Sequence, residues 1–153
     1  MQTGILTFSV KRVYLRINIH KSTFLGISFP IIIKMKIFKL ILTFLFGAIM
    51  IFAGVNHFIK PEMYAPFIPD FLPNQFTNYL FGILEIICGV SVFIPVFRGW
   101  ATVGILLMML IFLPLHIWDV FREKPAIGNH EVALIRLPIQ FVLIAWAWFI
   151  SKK

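Results

Sequence analysis

The sequence predicts an all-α polytopic membrane protein, an antiparallel bundle of four transmembrane helices with both termini cytoplasmic. Three observations carry this expectation. The 153 residues are 60% hydrophobic and only 13% charged, about half the charged fraction of an ordinary soluble domain. The apolar residues fall in long runs, each near the roughly 20 residues that a helix needs to cross a bilayer. Basic residues gather at alternate ends of those runs with no acid beside them, the asymmetry that marks cytoplasmic ends.

Taken in order, residues 1–34 are a basic N-terminal stretch without clear period. No Asp or Glu precedes Glu62, whereas Lys11, Arg12, Arg16, Lys21, Lys34, Lys36 and Lys39 all do. The apolar run Phe29-Pro30-Ile31-Ile32-Ile33 is too short to span, and no small-residue cleavage site follows an apolar core, which argues against a cleaved secretory signal. Met35-Lys36-Ile37-Phe38-Lys39 reads as a natural start. Residues 1–34 are therefore expected to be a disordered extension or a mis-assigned upstream start, and residues 35–153 the transmembrane domain.

The first span is expected over about residues 37–59, with Gly47 and Gly54 allowing close helix approach in lipid. Pro61, Pro66, Pro69 and Pro73 then forbid a continuing helix. The aromatics of residues 60–76, Tyr64, Phe67, Phe71 and Phe76, are expected to lie at the interface and hold this segment against the bundle. A second span covers about residues 77–97 and contains Glu85. After a short turn at Arg98-Gly99 the third span runs over about residues 100–121, with Pro114 as a kink. A polar linker, broken by Pro125 and Gly128, leads to the fourth span at about residues 131–150.

The net charge of +8 acts as a topology signal and not as a nucleic-acid footprint, because no basic stripe with interleaved aromatics forms a soluble face. The partner it implies is the lipid bilayer, with the bacterial inner (cytoplasmic) membrane as the expected location. Cys88 is the single cysteine, which excludes an intrachain disulfide and a CxxC redox pair. No GxSxG or comparable nucleophile motif is present, so no catalytic residue is assigned.

What remains is a set of polar residues inside the apolar runs. A charge in a spanning helix costs about 2.5–3.5 kcal/mol on insertion scales, so such residues face one another and mark function or structural pairing. Asn56, His57, Glu85, His116, Asp119, Arg136 and Gln140 all fall in the outer halves of their spans when depth is counted at about 1.5 Å per residue. They are expected to line one outward-opening pocket, with Glu85–Arg136 as its central ion pair. A purely structural pairing of those two charges is the competing reading. A metal site built from His57, Glu85, His116 and Asp119 has acceptable ligand types but no diagnostic spacing, and none is assigned. Trp118, Trp146 and Trp148 are expected in the interfacial belt.

The stretch AGVNHFIKPEMYAPFIPDFLP, the run GILEIICGV and the run LIRLPIQFVLIAWAWF together resemble the DoxX-like family of small four-helix membrane proteins, over about residues 37–150. The resemblance makes Asn56, His57, Pro61, Glu85, Arg136, Pro138 and Gln140 family-typical. It implies a membrane subunit of a redox system, or a component that binds a quinone or small anion, since namesake members are similar to membrane subunits of thiosulfate:quinone oxidoreductase. Any redox centre would come from a partner protein, and quinone is the one cofactor the resemblance suggests. Other relatives resemble cargo receptors or assembly chaperones, so a non-catalytic assembly factor or client receptor is the alternative. A small transporter ranks third, because no inverted repeat or broken helix pair is visible. Oligomeric state is left open.

Overall fold

The computed structural model describes residues 3–152, and the side chains of residues 30–152. Two compact units divide the chain, Met1–Lys39 and Leu40–Lys153, and the second holds everything that follows. The stretch 1–34, expected as an extension, falls in the first unit, and most of its side chains lie outside the described ones.

The described residues form four α-helices and two short 3-10 turns, with no strand. These are α1 (Thr3–Ile59), the turns Pro61–Met63 and Ala65–Phe67, α2 (Asn74–Ser91), α3 (Arg98–Phe121) and α4 (His130–Ser151). Three stretches are long and apolar enough to cross a membrane: Pro30–Ile59, Arg98–Phe121 and His130–Ser151. This is the make-up of a multi-pass membrane protein.

The second helix differs from the span expected over residues 77–97. It starts earlier, at Asn74, and stops at Ser91. Its opening turns are polar, and at 18 residues it reaches about 27 Å, just under the roughly 30 Å hydrocarbon thickness. The chain then turns through Val92–Phe97, a turn that contains Pro95 and brings the carbonyl of Val92 to the Arg98 side chain. Arg98 Nε donates to that carbonyl at 2.9 Å, and its guanidinium lies 5.0 Å over the Phe44 ring. A cation at the start of α3 thus ties down the preceding turn.

Glycine decides how α1 and α2 meet. A Cβ on Gly47 would sit 3.0 Å from the Gly89 carbonyl oxygen, and one on Gly54 would sit 2.7 Å from that of Gly82. The contacts are reciprocal, and both glycine pairs are seven residues apart, two helical turns. As the number rises along α1 it falls along α2, so the helices run antiparallel with their backbones in contact, as small residues permit. Cys88 of α2 then meets Gly104 of α3, with the sulfur 3.0 Å from where a Cβ would be. Phe81 packs on Phe112 at 5.3 Å between ring centres. α3 and α4 pack along their length around the hairpin linker, and Trp146 of α4 returns to α1, edge-on to Phe46 at 4.8 Å. The core formed this way includes Phe46, Met50, Ile105, Met109 and Ala147. Trp146 is therefore a core contact and not the belt residue expected, whereas Trp118 and Trp148 pair at helix ends with Arg122 and Lys152.

The start of α4 is set by its sequence. Gly128 takes a left-handed φ of +72°, and Asn129 accepts at its side-chain oxygen from Val132 N–H at 3.1 Å. Glu131 in the first turn places a negative charge at the positive end of the helix dipole.

Candidate functional site

A cavity of about 480 Å³ opens among α1–α4 on the side of the proline-rich segment, within the roughly 300–1,000 Å³ range of small-molecule sites. Its walls are mostly apolar, supplied by residues such as Phe46, Met50, Ala53, Phe81, Phe112 and Leu143. Of the residues expected in a shared pocket, His57, Glu85, His116 and Gln140 line this cavity; Asn56, Asp119 and Arg136 are not among its lining residues.

The expected Glu85–Arg136 ion pair is replaced by two separate pairs. Arg136 Nη2 donates to Asp119 Oδ2 at 2.6 Å, and Glu85 Oε2 lies 3.5 Å from His57 Nε2. The reason is connectivity. The hairpin linker brings the last turn of α3 against the first turns of α4, so Asp119 reaches Arg136 first. That cluster is architectural: Asp119, 1% exposed, also accepts from Ala126 N–H at 2.6 Å, and Arg136 donates to the carbonyl of Ile127 at 3.1 Å. It folds the linker back over the helix ends.

His57 and Glu85 belong to a different cluster, held by a residue that the sequence reading passed over. Asn78 is 1% exposed, and its Nδ2 donates to the backbone oxygen of His57 at 2.8 Å. That contact fixes the amide so that its oxygen faces the imidazole, and His57 Nδ1 donates to it at 2.6 Å. The proton is thereby held on Nδ1, and Nε2 is turned to Glu85. Glu85 is 4% exposed, and its Oε2 has no hydrogen-bond partner. Tyr64 stacks on the imidazole with ring centres 3.7 Å apart. Burial pushes the Tyr64 phenol above its ordinary value of 10.0, and the Glu85 carboxylate adds to this, against a hydrogen bond with the Asn56 side chain. Asn56 thus acts through Tyr64.

Farther round the cavity, Gln140 Nε2 donates to the Met109 carbonyl at 2.7 Å. This is next to Leu110, whose carbonyl loses its usual donor to Pro114. His116 packs edge-on to Phe67 at 5.7 Å, and Arg136 lies 5.0 Å over the same ring. Among the described residues no three His, Cys, Asp or Glu side chains come together as metal ligands, so His57, Glu85, His116 and Asp119 do not converge.

The proline-rich segment closes one side. Ile68, Pro69, Phe71 and Leu72 contribute to the wall, and the segment is pinned from every helix. Tyr64 rests on His57 of α1, and Asn74 of α2 donates to the Ala65 carbonyl at 3.1 Å. Arg122, the residue ending α3, donates to the Pro66 carbonyl at 2.6 Å, and Arg136 of α4 covers Phe67.

Fold and site together define a helical multi-pass membrane protein enclosing an apolar cavity with a histidine–glutamate pair in its wall. The chain belongs to the family described as a domain of unknown function, DUF8561, whose model matches residues 46–151. No curated protein and no solved structure matches it.

Proposed function

We propose that this protein is a membrane-embedded binding component for a lipophilic molecule with a polar head, of the quinone type, and that it serves a redox system whose electron-carrying centre sits in a partner protein. One observation carries the reading: an apolar cavity of about 480 Å³ whose wall holds a buried His57–Glu85 pair with an unsatisfied carboxylate oxygen. Apolar walls with few convergent polar groups suit a small, largely apolar ligand, and buried polar atoms left unpaired are explained most simply by a ligand that pairs them. The resemblance to DoxX-like proteins supports the same reading. For the small-anion version, Arg136 Nη2 is taken by Asp119 and Arg136 is not a lining residue, while its Nε and Nη1 are buried without a hydrogen-bond partner.

The setting proposed with it is a four-helix bundle in a bacterial inner membrane. Its ring of helix contacts, α1 on α2, α2 on α3, α3 on α4 and α4 on α1, supports a bundle. The acid-free Lys34, Lys36, Lys39, Arg98, Lys152 and Lys153, against outer loops that hold Glu62, Asp70 and Glu123, support cytoplasmic termini. That puts the proline-rich segment and the cavity in the outer half.

The test is binding of a short-tailed naphthoquinone, offered oxidised and reduced, to the full chain purified in detergent. Ala53 lines the cavity, and Ala53→Phe fills it. Saturable binding that falls at least about tenfold, or 1.4 kcal/mol, in a folded Ala53→Phe protein is expected. Equal binding by both proteins, or none by either, ends the proposal.

A further inference from the structure

We infer that the His57–Glu85 pair selects a ligand head carrying a hydroxyl group, a phenol or hydroquinone, over the corresponding ketone or quinone. This rests on the cavity being the ligand site proposed above, and it specifies the head group.

Protons and lone pairs decide the preference. Asn78 holds the His57 Nδ1 proton by accepting from it at 2.6 Å, with its own amide anchored on the His57 carbonyl. What remains to face the cavity is Nε2 and the Glu85 carboxyl oxygen, 3.5 Å apart. Two protons shared by these atoms, or none, would leave a net charge among apolar walls, which burial disfavours strongly. The pair therefore carries one. If the proton is on the carboxyl, the pair offers an O–H donor and the Nε2 lone pair. If it is on Nε2, the pair offers an N–H donor and a carboxylate acceptor. Either way the wall presents one donor and one acceptor.

Of a hydroxyl and a carbonyl, only the hydroxyl answers both. Its hydrogen is donated to the acceptor and its oxygen accepts from the donor, whereas a carbonyl oxygen satisfies the donor alone and leaves the acceptor buried and unpaired. The spacing agrees: 3.5 Å is long for a direct hydrogen bond, but one oxygen can lie about 2.8 Å from both atoms. Glu85 Oε2 is buried with no hydrogen-bond partner within the protein, and both His57 and Glu85 line the cavity. Tyr64, stacked on the imidazole, keeps the ring plane and so the direction of the Nε2 lone pair.

The experiment compares three probes of one shape on the purified full chain: a short-tailed naphthohydroquinone kept reduced under argon, its oxidised quinone, and its dimethyl ether. The hydroquinone is expected to bind at least about tenfold more tightly than either of the others, the cost of one acceptor left unpaired. In His57→Phe, which keeps a ring but no lone pair, the three affinities should converge to within about threefold. Should that variant fail to fold, the wild-type ratio decides alone. Quinone binding as tight as hydroquinone overturns the inference while leaving the cavity as a quinoid site. Failure of all three probes to bind overturns the site itself and the inference with it.

Discussion

Asp119 and Arg136 show what a buried charge does when its neighbours are chosen by connectivity. Removing one partner of a buried pair leaves the other uncompensated, at a cost of about 3–5 kcal/mol, whereas replacing both can be nearly neutral. Asp119→Ala should therefore lower the thermal stability of the detergent-solubilised protein by that amount, and adding Arg136→Met should recover most of it. A double change as damaging as the single one would show that Asp119 matters mainly through its bond to Ala126. Tyr64 gives a second residue-scale expectation. Its phenol is held neutral by burial above the ordinary value of 10.0. The stability this contributes is present below pH 10 and is lost as pH rises through the elevated value. Difference titration at 295 nm of wild type against Tyr64→Phe should show this tyrosine ionising after an exposed one. The sequence revealed part of this scale. The polar residues stood out against apolar surroundings, and their grouping toward one end was readable by counting residues. Their partners were not, because rotation about a helix axis is invisible in depth. Asp119 and Arg136 face each other across a hairpin and were within reach of the sequence. Asn78 was missed as an ordinary polar residue at a helix start.

At the scale of the helix, close approach is the controlling fact. Gly54→Ala places a methyl carbon 2.7 Å from the Gly82 carbonyl oxygen, a clash with backbone that no rotamer relieves, and should cost about 1–3 kcal/mol. Gly99→Ala, in the first turn of α3, meets nothing within 4 Å and should be neutral, or stabilising by up to about 1 kcal/mol through helix propensity. Parallel melts of the two variants check both. Similar losses would mean that glycine acts in α1 through something other than α2. The helices themselves were largely legible: hydropathy and length place the spans Arg98–Phe121 and His130–Ser151 within two residues of where they fall. The first, by contrast, starts at Pro30, seven residues before the expected 37, and takes in most of the run that read as too short to span. The end of α2 was not legible. Pro95 was visible as a breaker, but the apolar residues around it read as more span, and only the turn tied by Arg98 shows that the helix had already stopped at Ser91.

For the whole molecule, the proposed orientation is open to direct measurement. In a Cys88→Ser background, single cysteines at Asp70 and at Lys152 should behave oppositely toward a membrane-impermeant maleimide added to intact cells. Position 70 should label without lysis and position 152 only after it. The reverse pattern would invert the bundle and move the cavity to the cytoplasmic half.

The proline-rich segment has one more consequence, and it concerns order in time. A chain is synthesised from its N-terminus, so residues 61–72 emerge close to His57 and Asn74 but well before Arg122 and Arg136, the other side chains that hold them. The bond from Arg122 to the Pro66 carbonyl closes over 56 positions, and the cover that Arg136 gives Phe67 needs still more of the chain. The segment therefore cannot be fully pinned until the last hairpin has been made, and its full pinning marks assembly as complete. A chain truncated after Phe121 should leave the segment open to protease, while the full chain protects it.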